Sequence, residues 1–93
     1  MKRITLSKNV DKDIVLCETT NRIVSNRTSD MLLACSVPFT KSLNRVPLFK
    51  RREYNGASKV YRIFISRNQY SNARRVLSGL EKRDYDRLLV NVL

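Results

Sequence analysis

Between residues 50 and 75 the chain carries eight basic side chains: Lys50, Arg51, Arg52, Lys59, Arg62, Arg67, Arg74 and Arg75. Tyr54 and Tyr61 are interleaved with them. Arg and Lys donate to phosphate oxygens, and a tyrosine on the same surface can stack on an unpaired base. About five phosphate contacts would make such binding fall steeply with salt. These residue types in this mixture serve recognition of an anion rather than bond breaking.

The rest of the sequence offers little to a reaction. There is no histidine. Cys17 and Cys35 are too far apart in sequence for a metal-binding pair, and a zinc site would have to recruit two carboxylates. Both cysteines sit inside apolar runs, where a reduced thiol behaves as a small hydrophobe, so buried free thiols are expected. Asp11 with Asp13, and Asp84 with Asp86, are acidic pairs without the third acid and framed lysine of a metal-dependent nuclease. Asp84 and Asp86 read better as helix-start residues beside the positive end of the helix dipole. No glycine-rich phosphate loop and no nucleophile motif is present. No enzyme activity, cofactor or metal is expected. In length and charge alone the chain also resembles small basic toxins that cleave messenger RNA, an alternative without residue-level support.

The charge has a direction along the chain. The 93 residues carry 19 basic and 8 acidic side chains, a net charge of +11. Residues 1–40 hold six basic and four acidic groups, whereas residues 41–93 hold thirteen and four. Such asymmetry favours a polyanionic partner: nucleic acid, or the acidic surface of a protein or nucleoprotein complex. With 42% hydrophobic residues the chain is expected to fold, as one domain spanning 1–93. A core of this size leaves room for stabilisation by a homodimer or another partner. Residues 4–6 are followed by Ser, Lys, Asn and Asp rather than an apolar run, so no signal peptide is read and a cytoplasmic location is expected. The apolar runs at 14–17 and 31–35 are too short to span a bilayer, and no membrane partner is expected.

The elements that must position the basic residues follow from periodicity. Residues 2–7 alternate as a first strand, 8–12 turn, and 13–18 form a β-branched strand with a short return strand at 22–25, giving an N-terminal meander. Residues 31–36 read as a short helix capped by Ser29 or Asp30, and 38–44 as a flexible connection. A second hairpin is expected from strands 46–54 and 59–66 around Asn55-Gly56, a pair that takes φ > 0 cheaply. A slightly lengthened loop would set Glu53 opposite Lys59 and Phe49 opposite Ile63, avoiding Arg52 against Lys59. The hairpin tip would then project as a basic finger. Ser66 and Gln69 have capping-box spacing, so a helix should start at Arg67. It would bury Tyr70, Ala73, Val76, Leu77 and Leu80 and turn Arg67, Arg74 and Arg75 outward. A final helix is expected over 84–93, with a strand through Leu88, Val90 and Val92 as its rival.

The expected fold is therefore α+β: antiparallel hairpins with one or two C-terminal helices packed on the sheet. The strand–helix–helix order of 59–93 resembles ribbon-helix-helix repressors. That family shows polar strand residues to the major groove, whereas Val60, Tyr61, Ile63, Phe64 and Ile65 are apolar here, so the family is not carried over. The expected function is non-enzymatic binding of nucleic acid or a nucleoprotein complex through residues 50–75. The alternative is a phage or plasmid accessory protein that inhibits a host defence or replication complex. In that case the same arginines would supply electrostatic complementarity, and Phe39, Leu43 and Leu48 would supply the apolar contacts.

Overall fold

The computed structural model describes residues 13–92. The expected strand at 2–7 and turn at 8–12 lie outside them. The element order is β1 (Asp13–Thr19), α1 (Arg22–Ala34), β2 (Thr40–Arg45), a 3-10 helix (Leu48–Tyr54), β3 (Lys59–Ser66), a 3-10 turn (Arg67–Gln69), α2 (Tyr70–Leu77), α3 (Lys82–Tyr85) and β4 (Leu89–Val90). The strands form one antiparallel sheet in the order β2-β3-β1-β4. Helices α1 and α2 cover one of its faces, so the α+β class expected from the sequence is the one observed.

The register sorts the side chains. Strand β3 pairs Ile65 with Ile14 and Phe64 with Val15, but Ile63 with Cys17, leaving Leu16 as an inserted residue. This bulge lets both Leu16 and Cys17 bury. Downstream of it, Glu18 pairs with Arg62, and Thr19 with Tyr61. Ile63, Ile65 and Cys17 meet Val24 and Leu32 of α1 and Ala73 and Leu77 of α2 in the core. Arg62 and Phe64, next along β3, lie on the opposite face.

Helix α1 replaces the return strand expected at 22–25, and the helix expected at 31–36 is only its end. Asn21 starts it: the side-chain oxygen accepts from the Val24 backbone N–H at 3.0 Å. The buried stripe is Val24, Ser25, Thr28, Ser29 and Leu32. Thr28 and Ser29 can be buried because their hydroxyls donate back to the carbonyls of Val24 and Asn26. The helix closes on Ser36 at φ 59, with Val37 N–H bonded to Leu32 carbonyl at 2.9 Å and Ser36 N–H to Leu33 at 3.1 Å. Pro38 then prevents continuation.

Three further expectations are corrected. The connection expected at 38–44 contains β2, an edge strand with only Ser42 half-buried. It, and not 46–54, is the hairpin partner of β3, with Thr40 opposite Phe64 and Arg45 opposite Lys59. The described residues 84–92 hold no long helix: α3 is one turn, and the chain then extends as β4. Asn91 fixes that extension, donating from its backbone to Leu16 and from its side chain to Val15, while its own carbonyl accepts from the Tyr70 hydroxyl. Asp84 does lie in the first turn of α3, but Asp86, also expected at a helix start, is the C-cap of that helix. Cys17 is buried as expected, but Cys35, at the end of α1, is exposed; both are free thiols.

The apolar stripe expected on α2 is present, with Ala73 and Leu77 buried and Tyr70, Val76 and Leu80 packed against the core. The capping box is not formed. Ser66 makes no side-chain cap bond, and a 3-10 turn leads into the helix.

Candidate functional site: a basic lobe between two strands

The β2–β3 hairpin ends with Arg45 directly opposite Lys59. Like charges in such a pair repel. The chain between them makes a compact excursion. Val46 turns inward to 2% exposure, and its N–H bonds to the Ser58 carbonyl at 2.8 Å. Pro47, at φ −58, presets the 3-10 helix that follows. The segment Leu48–Tyr54 contains no β-branched residue, which removes the usual reason for a strand.

A 3-10 helix has three residues per turn and aligns i with i+3. Arg51 and Tyr54 therefore share a ridge, and this ridge turns toward the sheet. Arg51 Nε donates to the Val46 carbonyl at 3.3 Å. The Tyr54 hydroxyl donates to one Glu18 oxygen at 3.3 Å, and Arg62 Nε bonds the other. That bond with Glu18 raises the Arg62 guanidinium above its usual value. The other ridges, Phe49 with Arg52 and Lys50 with Glu53, face water. Asn55 and Gly56 then turn the chain at φ 57 and 83, the left-handed geometry expected of this pair. Gly56 N–H to Arg51 carbonyl, at 2.6 Å, closes the lobe.

The ten residues singled out in the sequence do not form one surface. Lys50, Arg51, Arg52 and Tyr54 stand on the lobe, with Lys59 at its foot. Arg62 is on the sheet face that the lobe covers, opposite to that of Lys59 and Tyr61, and is held by Glu18. Tyr61 lies on the helix-covered face, half-buried and opposite Thr19. Arg67 is just past the far end of β3, roughly 26 Å from Lys59 at strand spacing. Arg74 and Arg75 are on α2, behind the sheet. Arg74 donates to the Tyr70 hydroxyl at 2.6 Å and sits 5.7 Å from that ring's centroid.

Two members of the lobe escape sequence reasoning. Arg45 ends β2, one residue past the connection expected at 38–44. Phe49, expected inside a sheet opposite Ile63, is 82% exposed, and its neighbour Leu48 is 78% exposed. Of the apolar residues expected on a contact surface, Leu43 and Leu48 are exposed, whereas Phe39 packs against the core.

Among the described residues, no carboxylate lies within ion-pair distance of Arg45, Lys50, Arg51, Arg52 or Lys59. The cleft beside the lobe is lined by Glu18, Glu53 and Asp86 together with Arg87, and Glu18 is already paired with Arg62. Among the described residues no three His, Cys, Asp or Glu side chains cluster as a metal site, and no helix is long and apolar enough to cross a membrane. No protein-family model matches this chain, and no curated protein and no solved structure matches it.

Proposed function

We propose that this protein binds nucleic acid without catalysing a reaction, using the 45–59 lobe to contact phosphates. The observation that carries this reading is the juxtaposition of Arg45 and Lys59 at the foot of the lobe, with Lys50 and Arg52 on its water-facing ridges and no described carboxylate within ion-pair distance of any of the four. A phosphate backbone relieves this repulsion and releases counterions as it binds. The geometry narrows the surface expected from the sequence: Arg62 and Arg74 already have partners, and Arg67 and Arg75 face elsewhere.

The test is a salt titration of binding to single- and double-stranded DNA and RNA, followed by fluorescence anisotropy. Affinity should fall steeply with salt. Reversal of Arg45, Lys50, Arg52 and Lys59 to Glu should abolish binding, and reversal of Arg67 and Arg75 should leave most of it. Equal losses from both sets would show that the lobe is not the site.

A second reading is an inhibitor that docks on an acidic protein surface of a host complex, and a specific observation favours it. Leu43 on β2 and Leu48 and Phe49 on the lobe are 51%, 78% and 82% exposed. Phosphates make no use of aliphatic side chains, whereas protein interfaces do. Retention of one host protein by the parent chain and not by a Leu43→Ser, Leu48→Ser variant would support it.

A further inference from the structure

We infer that the nucleic acid this lobe takes is single-stranded, and that Phe49 is the platform on which a base stacks. The inference rests on the nucleic-acid reading above and adds the class of ligand. Among the described residues Phe49 is the most exposed of the large hydrophobics, at 82%. It is not left over from a failed core, since no residue of its 3-10 helix is buried and the ridge behind it is bonded to Val46 and Glu18. Three-residue periodicity puts Arg52 on the ridge of Phe49, and Lys50 follows it in the chain. Arg45 and Lys59 stand where the lobe joins the sheet.

An aromatic face flanked by cations that no described carboxylate pairs is the arrangement that holds a single strand: cations follow the backbone while the ring stacks on a base. A duplex keeps its base faces stacked inside and would leave Phe49 idle against a sugar-phosphate edge. The tyrosines cannot take this role as they stand. Tyr54 is turned to Glu18, and Tyr61 is on the helix-covered face.

The chain contains no tryptophan, so Phe49→Trp installs a single reporter at the proposed platform. Oligo-dT and oligo-U of about 20 nucleotides would be compared with a random-sequence duplex of the same length, on the parent, Phe49→Ala and Phe49→Trp chains. Circular dichroism would check that each is folded. The expected result is tighter binding of single strands than of duplex. Phe49→Ala should weaken single-strand binding by roughly 5- to 150-fold, the range for one base–aromatic stack. Its salt slope should be unchanged, because no phosphate contact is removed. Phe49→Trp should retain affinity, and its fluorescence should be quenched by single strands. If single strands and duplex bind equally, or if Phe49→Ala binds as the parent does, this inference falls and the phosphate-binding reading stands. If Phe49→Ala weakens both ligands alike, the ring has a structural role and the inference also falls. If neither ligand binds at low salt, both readings fall together.

Discussion

One nitrogen of Arg27 holds both oxygens of Asp84: Nη1 donates to Oδ1 at 3.1 Å and to Oδ2 at 3.2 Å. The Asp84 side chain is 6% exposed and that of Arg27 is 48%. The carboxylate is therefore the buried partner, and this pair ties α1 to α3 across 57 residues of sequence. Arg27→Ala would leave the carboxylate with no ion-pair partner among the described residues, although Arg83 and Arg87 line the same hollow. Water reaching the half-exposed site moderates the cost, which should be about 2 kcal/mol in urea unfolding. Adding Asp84→Asn should recover part of the loss. A single variant indistinguishable from an ordinary surface substitution would show that the pair is idle.

Two serines, one in α1 and one in the turn that closes it, should improve the fold when changed. Ser36 closes the helix with φ 59, a conformation that costs a non-glycine residue about 1 kcal/mol. Ser36→Gly should stabilise the fold by about that amount.

The hydroxyl of Ser25 is buried without a hydrogen-bond partner among the described residues. Ser25→Ala removes an unmet polar group, with an expected gain of about 1 kcal/mol. Melting temperatures that drop for either variant would contradict the local geometry.

The two thiols should differ in reactivity. Burial, with Glu18 beside it, pushes the Cys17 thiol from 9.0 up to about 12. The folded state then keeps its proton after the unfolded chain has released one. This contribution lowers stability progressively between about pH 9 and pH 12 and is absent below that window. The stability gap between the parent and Cys17→Ala should narrow as pH rises through the window, and parallel curves would refute the assignment. At neutral pH a thiol reagent should modify exposed Cys35 promptly and Cys17 only on unfolding.

Arg62 should act on the lobe through Glu18 without touching a ligand. Arg62→Ala leaves Glu18 with Tyr54 alone, so amide exchange should quicken over 48–58 while β3 stays protected. Arg62→Glu would set two carboxylates face to face and loosen the lobe as well, so it cannot serve as a clean charge-reversal probe. Unchanged exchange in Arg62→Ala would mean that the lobe is held by its own backbone bonds.

What could be read from the sequence depended on how each element hides its apolar side. Helix α2 buries Ala, Leu, Val and Tyr at helical spacing and was legible. Helix α1 has the same periodicity written in Ser25, Thr28 and Ser29, letters that suggest strands and turns until their hydroxyls are seen bonded to the preceding carbonyls. Strand β2 shows water nearly every side chain, so it carries no alternation to detect. The left-handed turn at Asn55-Gly56 was legible because it depends on two residue types alone. Of the strands expected on either side of it, 59–66 was legible and 46–54 was not. Avoiding a like-charge pair argued for Glu53 opposite Lys59, yet the fold sets Arg45 there and leaves the repulsion standing. At the candidate site the residue types were legible, but the division of the cations into two faces, and the exposure of Phe49, needed the register.

The inserted Leu16 in β1 has a consequence beyond the core. Were that strand regular, Cys17 would fall opposite Arg62, and Glu18 opposite Tyr61 beneath the helices. Glu18 could then neither receive Tyr54 nor hold Arg62. A single uncounted residue thus works as a frameshift in the folded chain: it changes the parity of everything after it and delivers one carboxylate to the side where the lobe is fastened. The orientation of the most basic part of the protein is set by an uncharged leucine that the lobe's fastening bonds do not involve.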